Sequence, residues 1–154
     1  MKRIGTRLAV ATTAVVLLLA PAFGQSRSTR AERELFAAMN QSRRQEGLIE
    51  LRWDESLATA ARLHAMVMAK HRSVRHTFEN EPDLSARIKE TGAHFTWLSE
   101  NVTQGPVAQS INEQFMRSPS HRANILDADM NSVGIGVVER DGQLFAVEDF
   151  AQLR

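Results

Sequence analysis

The stretch Val133-Gly134-Ile135-Gly136-Val137-Val138-Glu139-Arg140-Asp141-Gly142-Gln143-Leu144-Phe145-Ala146-Val147-Glu148-Asp149-Phe150 decides the fold class. Val133, Ile135 and Val137 recur with the period of two that belongs to a strand. Asp141-Gly142 is a dipeptide that tolerates the positive φ angles of a tight hairpin turn, and Leu144 to Phe150 returns as the second strand. Upstream the period changes to that of helices. Helices first and an antiparallel hairpin last predict an α+β fold, because alternating βαβ units would spread strands along the whole chain.

Working outward from the hairpin, Ser118 and Pro119 are the cap and first residue of a short helix ending near Leu126. A helix from about Pro106 precedes it, with Val107, Ile111 and Phe115 four apart, and His94 to Thr103 is extended. Pro82 stands in the first turn of a short helix with Leu84 and Ile88 one turn apart and Gly92 as its stop. Asp54 caps a longer helix in which Leu57, Ala61, His64, Ala65 and Met68 share one face. Before it, Leu48 to Trp53 is extended. The first helix opens with Thr29 and Glu32 in the capping-box relation, buries Leu35, Phe36 and Met39, and stops at Gly47.

The N-terminus carries a different signal. Lys2, Arg3 and Arg7 precede an apolar or small run from Leu8 to Ala20, then Pro21, Ala22, Phe23 and Gly24. This is the pattern of a secretory signal peptide over residues 1–24, cleaved after Gly24, with 25–31 as a short polar tail. The run is shorter than the about 20 residues a helix needs to cross a bilayer, so no permanent membrane span is expected after cleavage; an uncleaved anchor is the alternative. The expected location is secreted, periplasmic or otherwise extracytoplasmic. The chain contains no cysteine. It is therefore neither a lipoprotein acylated on cysteine nor a disulfide scaffold, and its stability comes from packing. Overall charge is near zero, with 19 basic against 18 acidic residues, and removing Lys2, Arg3 and Arg7 turns it slightly acidic. Without a basic stripe there is no electrostatic case for nucleic acid.

Five histidines are the polar candidates. His64 lies on the apolar face of its helix and reads as a core histidine with a hydrogen-bonded nitrogen. His71 sits near a helix C-terminus, which favours partial positive charge, and His94 is in a loop without a visible partner. His76 and His121 stand at the edges of elements, where sites are usually built. Glu100 is the acid placed to join them. Two histidines and a carboxylate can hold zinc or another divalent metal with a water in the fourth position. Their wide spacing matches no compact metal motif, so a structural hydrogen-bond network is the competing reading. Ser118, Ser120 and His121 are neighbours in one helical turn, a poor geometry for nucleophile and base. No Gly-x-Ser-x-Gly elbow is present, and helix capping accounts better for Ser118.

The run Ser118-Pro119-Ser120-His121-Arg122-Ala123-Asn124-Ile125-Leu126, followed by Val133-Gly134-Ile135-Gly136-Val137, resembles the signature of bacterial CAP-domain (SCP-like) proteins. Four segments agree in order: Asn40 and Arg43 before Gly47-Leu48; Leu51, Trp53, Asp54 and Leu57; His64-Ala65 and Met68; and Glu100-Asn101-Val102. The resemblance covers about residues 32–150 and places a CAP domain at 32–152. It implies a three-layer α-β-α sandwich around a small central antiparallel sheet, with a groove of two histidines and two acids that binds a divalent metal in some members. His76, Glu100 and His121 fill three of those positions. The fourth falls on Ser118, with Phe115 as the aromatic before it, and Glu113 is five residues too early on the same helix. The expected function is a non-catalytic extracytoplasmic binding module for an envelope lipid, a cell-wall component or a protein. The alternative is a zinc-dependent hydrolase in which His76 and His121 hold the metal and Glu100 is third ligand or base.

Overall fold

A computed structural model describes residues 28–154. The expected signal peptide lies outside the described residues, as do residues 25–27 of the expected tail; the rest of that tail runs directly into the first helix. The elements follow as α1 (Arg30–Gln45), β1 (Arg52–Trp53), α2 (Glu55–His71), α3 (Leu84–Glu90), β2 (Phe95–Gly105), α4 (Ala108–Arg117), α5 (Pro119–Ile125), β3 (Ser132–Arg140) and β4 (Gln143–Leu153).

Local chemistry explains most of the boundaries. Thr29 and Glu32 close a reciprocal capping box on α1. The helix ends in a Schellman pair: Leu48 N–H donates to the Arg43 carbonyl and Gly47 N–H to that of Arg44, with Gly47 at φ 73°. Asp54 accepts from Leu57 N–H at 2.9 Å and starts α2. Two starts differ from expectation. Pro82 lies outside α3, because Asp83 supplies a carboxylate that takes Ala86 N–H at 2.8 Å and so becomes the cap. Ser118 holds the cap position of α5 but makes no side-chain cap bond; its Oγ lies 3.3 Å from that of Ser120.

The sheet has the order β1-β3-β4-β2. β3 and β4 form the expected hairpin around Asp141-Gly142, both at positive φ, and β2 pairs antiparallel with β4 over nearly its whole length. β1 contributes one short parallel pairing with β3, so the expected extended segment is mostly a loop. The architecture is a three-layer α-β-α sandwich. Val133, Ile135, Val137, Ala146 and Phe150 face α1, α4 and α5. The opposite face of β4, through Phe145, Val147 and Ala151, packs on α2 and α3.

Glycine sets the spacing on that second face. A Cβ at Gly134 would lie 2.0 Å from the Ala58 nitrogen, and one at Gly136 2.2 Å from the Ala61 carbonyl carbon. The alternation of large residues with glycine in β3 therefore gives α1, α4 and α5 side chains to pack on and lets α2 rest directly against backbone. The small residues Ala58, Ala61 and Ala65 complete the close approach. This brings His64 on α2 over β2 and β4, next to the site.

Candidate functional site

β2 is an edge strand, and its alternation puts Glu100 toward α2 and α3 and Asn101 toward α5. Glu100 is almost fully buried, with 3% side-chain exposure. Its Oε1 accepts from His76 Nδ1 at 2.8 Å, and its Oε2 accepts from Arg87 on α3. A carboxylate only accepts, so His76 carries its proton on Nδ1 and turns Nε2 outward. His76 itself is 62% exposed along its side chain. The hydrogen bond to Glu100 raises the His76 pKa, and burial opposes part of that rise.

His76 sits in the loop between α2 and α3, and that loop is tied down from three sides. Buried His64 donates Nε2–H to the Arg75 carbonyl at 2.8 Å and holds Glu81 Oε1 at 2.6 Å through Nδ1. Glu81 also accepts Phe78 N–H at 3.1 Å. Arg87 donates to the His76 carbonyl at 3.2 Å and the Pro82 carbonyl at 3.1 Å. His64 is thus buried as expected, and its two nitrogens are spent on fixing the His76 loop.

On the other side of β2, Asn101 donates to the His121 carbonyl at 3.1 Å and to Glu148 Oε2 at 3.1 Å. Asn124 reaches Asn101 Oδ1 at 2.9 Å and the Glu100 carbonyl at 3.2 Å. These bonds seat the first turn of α5 against the strand. The His121 ring meets Phe115 edge-on at 5.2 Å. Burial, aided by the charge of His76, lowers its pKa. The structure therefore brings His76 and Glu100 into direct contact and ties His121 to the same strand through its backbone. Ser118 supplies no carboxylate, and Glu113 faces away, pairing with Arg117 at 2.9 Å.

These residues do not make a three-ligand metal shell. Both Glu100 oxygens are already hydrogen-bonded, and among the described residues no group of three or more His, Cys, Asp or Glu could hold an ion.

Three neighbours of these residues escape the sequence reading: Glu81, Arg87 and Asp149. Asp149 stands opposite Glu100 in the β2–β4 register, fully buried, and burial followed by the Glu100 charge raises its pKa well above the carboxylate range. Arg87 stands three residues after Leu84 on a short helix, so helical spacing sets it on the inward side; an inward arginine demands a carboxylate. That was the available signal.

The profile of the cysteine-rich secretory protein (CAP) family matches residues 36–150. The chain belongs to that family. Its fold is that of solved CAP proteins: an outer surface protein from Borrelia burgdorferi has a TM-score of 0.74 at 20% identity, covering 80% of this chain and 93% of that one. An extracellular protein with an SCP domain from Bacillus anthracis also reaches 0.74, at 22% identity over 79% of this chain and 40% of that one. In sequence, the uncharacterized membrane protein YlbC of Bacillus subtilis is 28% identical over 113 residues, which is 71% of this chain. This CAP chain spans 32% of YlbC, so the match is to one part of a longer protein. Among the described residues no helix is long and apolar enough to cross a membrane.

Proposed function

We propose that this CAP domain is an exported binding module that takes an envelope ligand across the edge of β2, through an anionic oxygen on the ligand, and does not catalyse hydrolysis. The observation that carries this reading is the commitment of Glu100. A general base needs a free lone pair within reach of the proton it removes. Glu100 is only 3% exposed along its side chain and points its oxygens at His76 and Arg87, which keeps its remaining lone pairs away from a ligand in the groove. What faces outward is His76 Nε2 on an imidazole whose pKa is raised, beside His121 whose pKa is lowered. An imidazole biased toward its charged form beside one biased toward its neutral form suits a carboxylate or phosphate oxygen. The missing acid at Ser118 leaves that oxygen without a repelling charge. Export is supported by the N-terminal pattern and by the extracellular and outer-surface relatives.

The test is calorimetric titration of the chain with soluble peptidoglycan fragments and, separately, with anionic phospholipid vesicles. One of the two is expected to bind saturably, about tenfold more weakly after His76→Ala, and more weakly as pH rises and His76 loses its proton. Absence of binding to both, or binding indifferent to His76 and His121, would overturn the proposal. The zinc-hydrolase reading has one observation in its favour: Glu100 fixes the tautomer of His76 with Nε2 outward, as carboxylates do behind metal-bound imidazoles. It predicts zinc-dependent turnover that His121→Ala abolishes.

A further inference from the structure

We infer that the cleft between α2 and α3 is a second binding site, for a small amphiphile with an apolar body and a protonated amine head. The cleft shares Glu81 and Arg87 with the supports of the His76 loop, but neither His76 nor His121 lines it, so the inference does not rest on the reading of the His76 groove.

The cleft has a volume of about 660 Å³, inside the range of roughly 300–1,000 Å³ typical of ligand sites. Leu63, Val67 and Pro82 supply its apolar surface. Leu63 is 56% exposed and its neighbour Met66 57%, both on the outward side of a helix whose inward side is already buried in the core. A helix apolar on both sides leaves one side unpartnered. The charge of the lining selects the head group. Glu55, Glu81 and Glu90 line the cleft against a single cation, Arg87, which turns its terminal nitrogens away to two loop carbonyls and Glu100. Arg62 offsets Glu55, and His64 holds Glu81. Glu90 has no ion pair among the described residues, and adjacent Lys89 lies over the Phe95 ring. The hydroxyls point the same way. Thr59 and Thr91 give their protons to the Glu55 and Ile88 carbonyls, so their remaining capacity is to accept. A cleft of acceptors with an acidic end calls for a ligand that donates and carries positive charge.

The test uses dodecylammonium, dodecyl sulfate and dodecyl maltoside below their micelle concentrations. Binding is followed by calorimetry and by Trp53 emission in a Trp97→Phe background, because Trp53 Nε1 donates to Glu55 on the cleft wall at 2.8 Å. Dodecylammonium is expected to bind one-to-one, about tenfold tighter than the other two. Leu63→Ser, at an exposed position, should weaken it about fivefold, and Glu90→Gln should cut the preference over dodecyl maltoside about threefold. Equal or tighter binding of dodecyl sulfate, equal binding of the maltoside, or binding unchanged by Leu63→Ser would each overturn the inference.

Discussion

At Glu100 one buried carboxylate does the work of two positions. It raises the pKa of His76 and fixes which nitrogen of that ring faces outward, and it neutralises Arg87 in the layer beneath. The two site histidines should therefore titrate apart. NMR titration of the ring protons is expected to show His76 above the ordinary imidazole range and His121 below it, with Glu100→Gln bringing His76 down. Coincident titration of the two rings would contradict the geometry. Glu100 and His121 stand in segments that carry the family resemblance, and His76 stands out in the sequence only by its place at the edge of an element. Arg87 had a signal in its spacing from Leu84 but none that named Glu100 as its partner, and Glu81 had none, because His64 reaches it from another element. His64 was read as a core residue, which it is; its role in holding the His76 loop depends on Glu81 and the Arg75 carbonyl arriving from a loop whose path has no sequence period.

Between elements, the decisive contact is α2 on β3. The period of two in Val133, Ile135 and Val137 was visible, and so was the helical face of α2. The purpose of the intervening glycines was not visible until both were placed together. Gly134→Ala would set a methyl group 2.0 Å from the Ala58 nitrogen. Backbone cannot rotate away as a side chain can, so the helix must lift from the sheet. A loss of about 3 kcal/mol is expected. Gly92→Ala meets open space and bears only the cost of its positive φ, about 1 kcal/mol. Chemical denaturation of the two variants checks the order; equal losses would mean that the close approach is not what Gly134 provides. Helix starts were the least legible boundaries. Pro82 and Pro106 are both compatible with a first turn, but a carboxylate at Asp83 and an extended Val107 fix the starts of α3 and α4 one or two residues later.

For the molecule as a whole, stability should depend on pH through the acids buried in β4. That strand is covered on both faces, so Glu148 and Asp149 are both internal whichever way each points, and strand alternation gave no warning of it. Burial pushes the Glu148 pKa up to about 8. A folded-state pKa raised above the unfolded one means that the folded chain holds the proton more tightly. Its contribution is complete below pH about 4.5 and is lost at about 1.4 kcal/mol per pH unit as pH rises toward 8. Glu148→Gln keeps the shape and removes the ionisation. The variant should be the more stable at pH 8, the difference shrinking toward pH 5; a difference that grows on acidification would have the wrong sign. The three layers were expected from family resemblance, while the residues alone supported only α+β. The layering depends on β2 finding β4 across some fifty residues, a pairing with no local signature. The proposed binding role requires that Glu100 serve His76 and Arg87 and complete no metal site with the two histidines. Calorimetric titration of zinc into the metal-free chain and its His121→Ala variant tests it most directly. No tight one-to-one site is expected in either protein; tight binding that disappears in the variant would make the histidines a metal site and overturn the binding role.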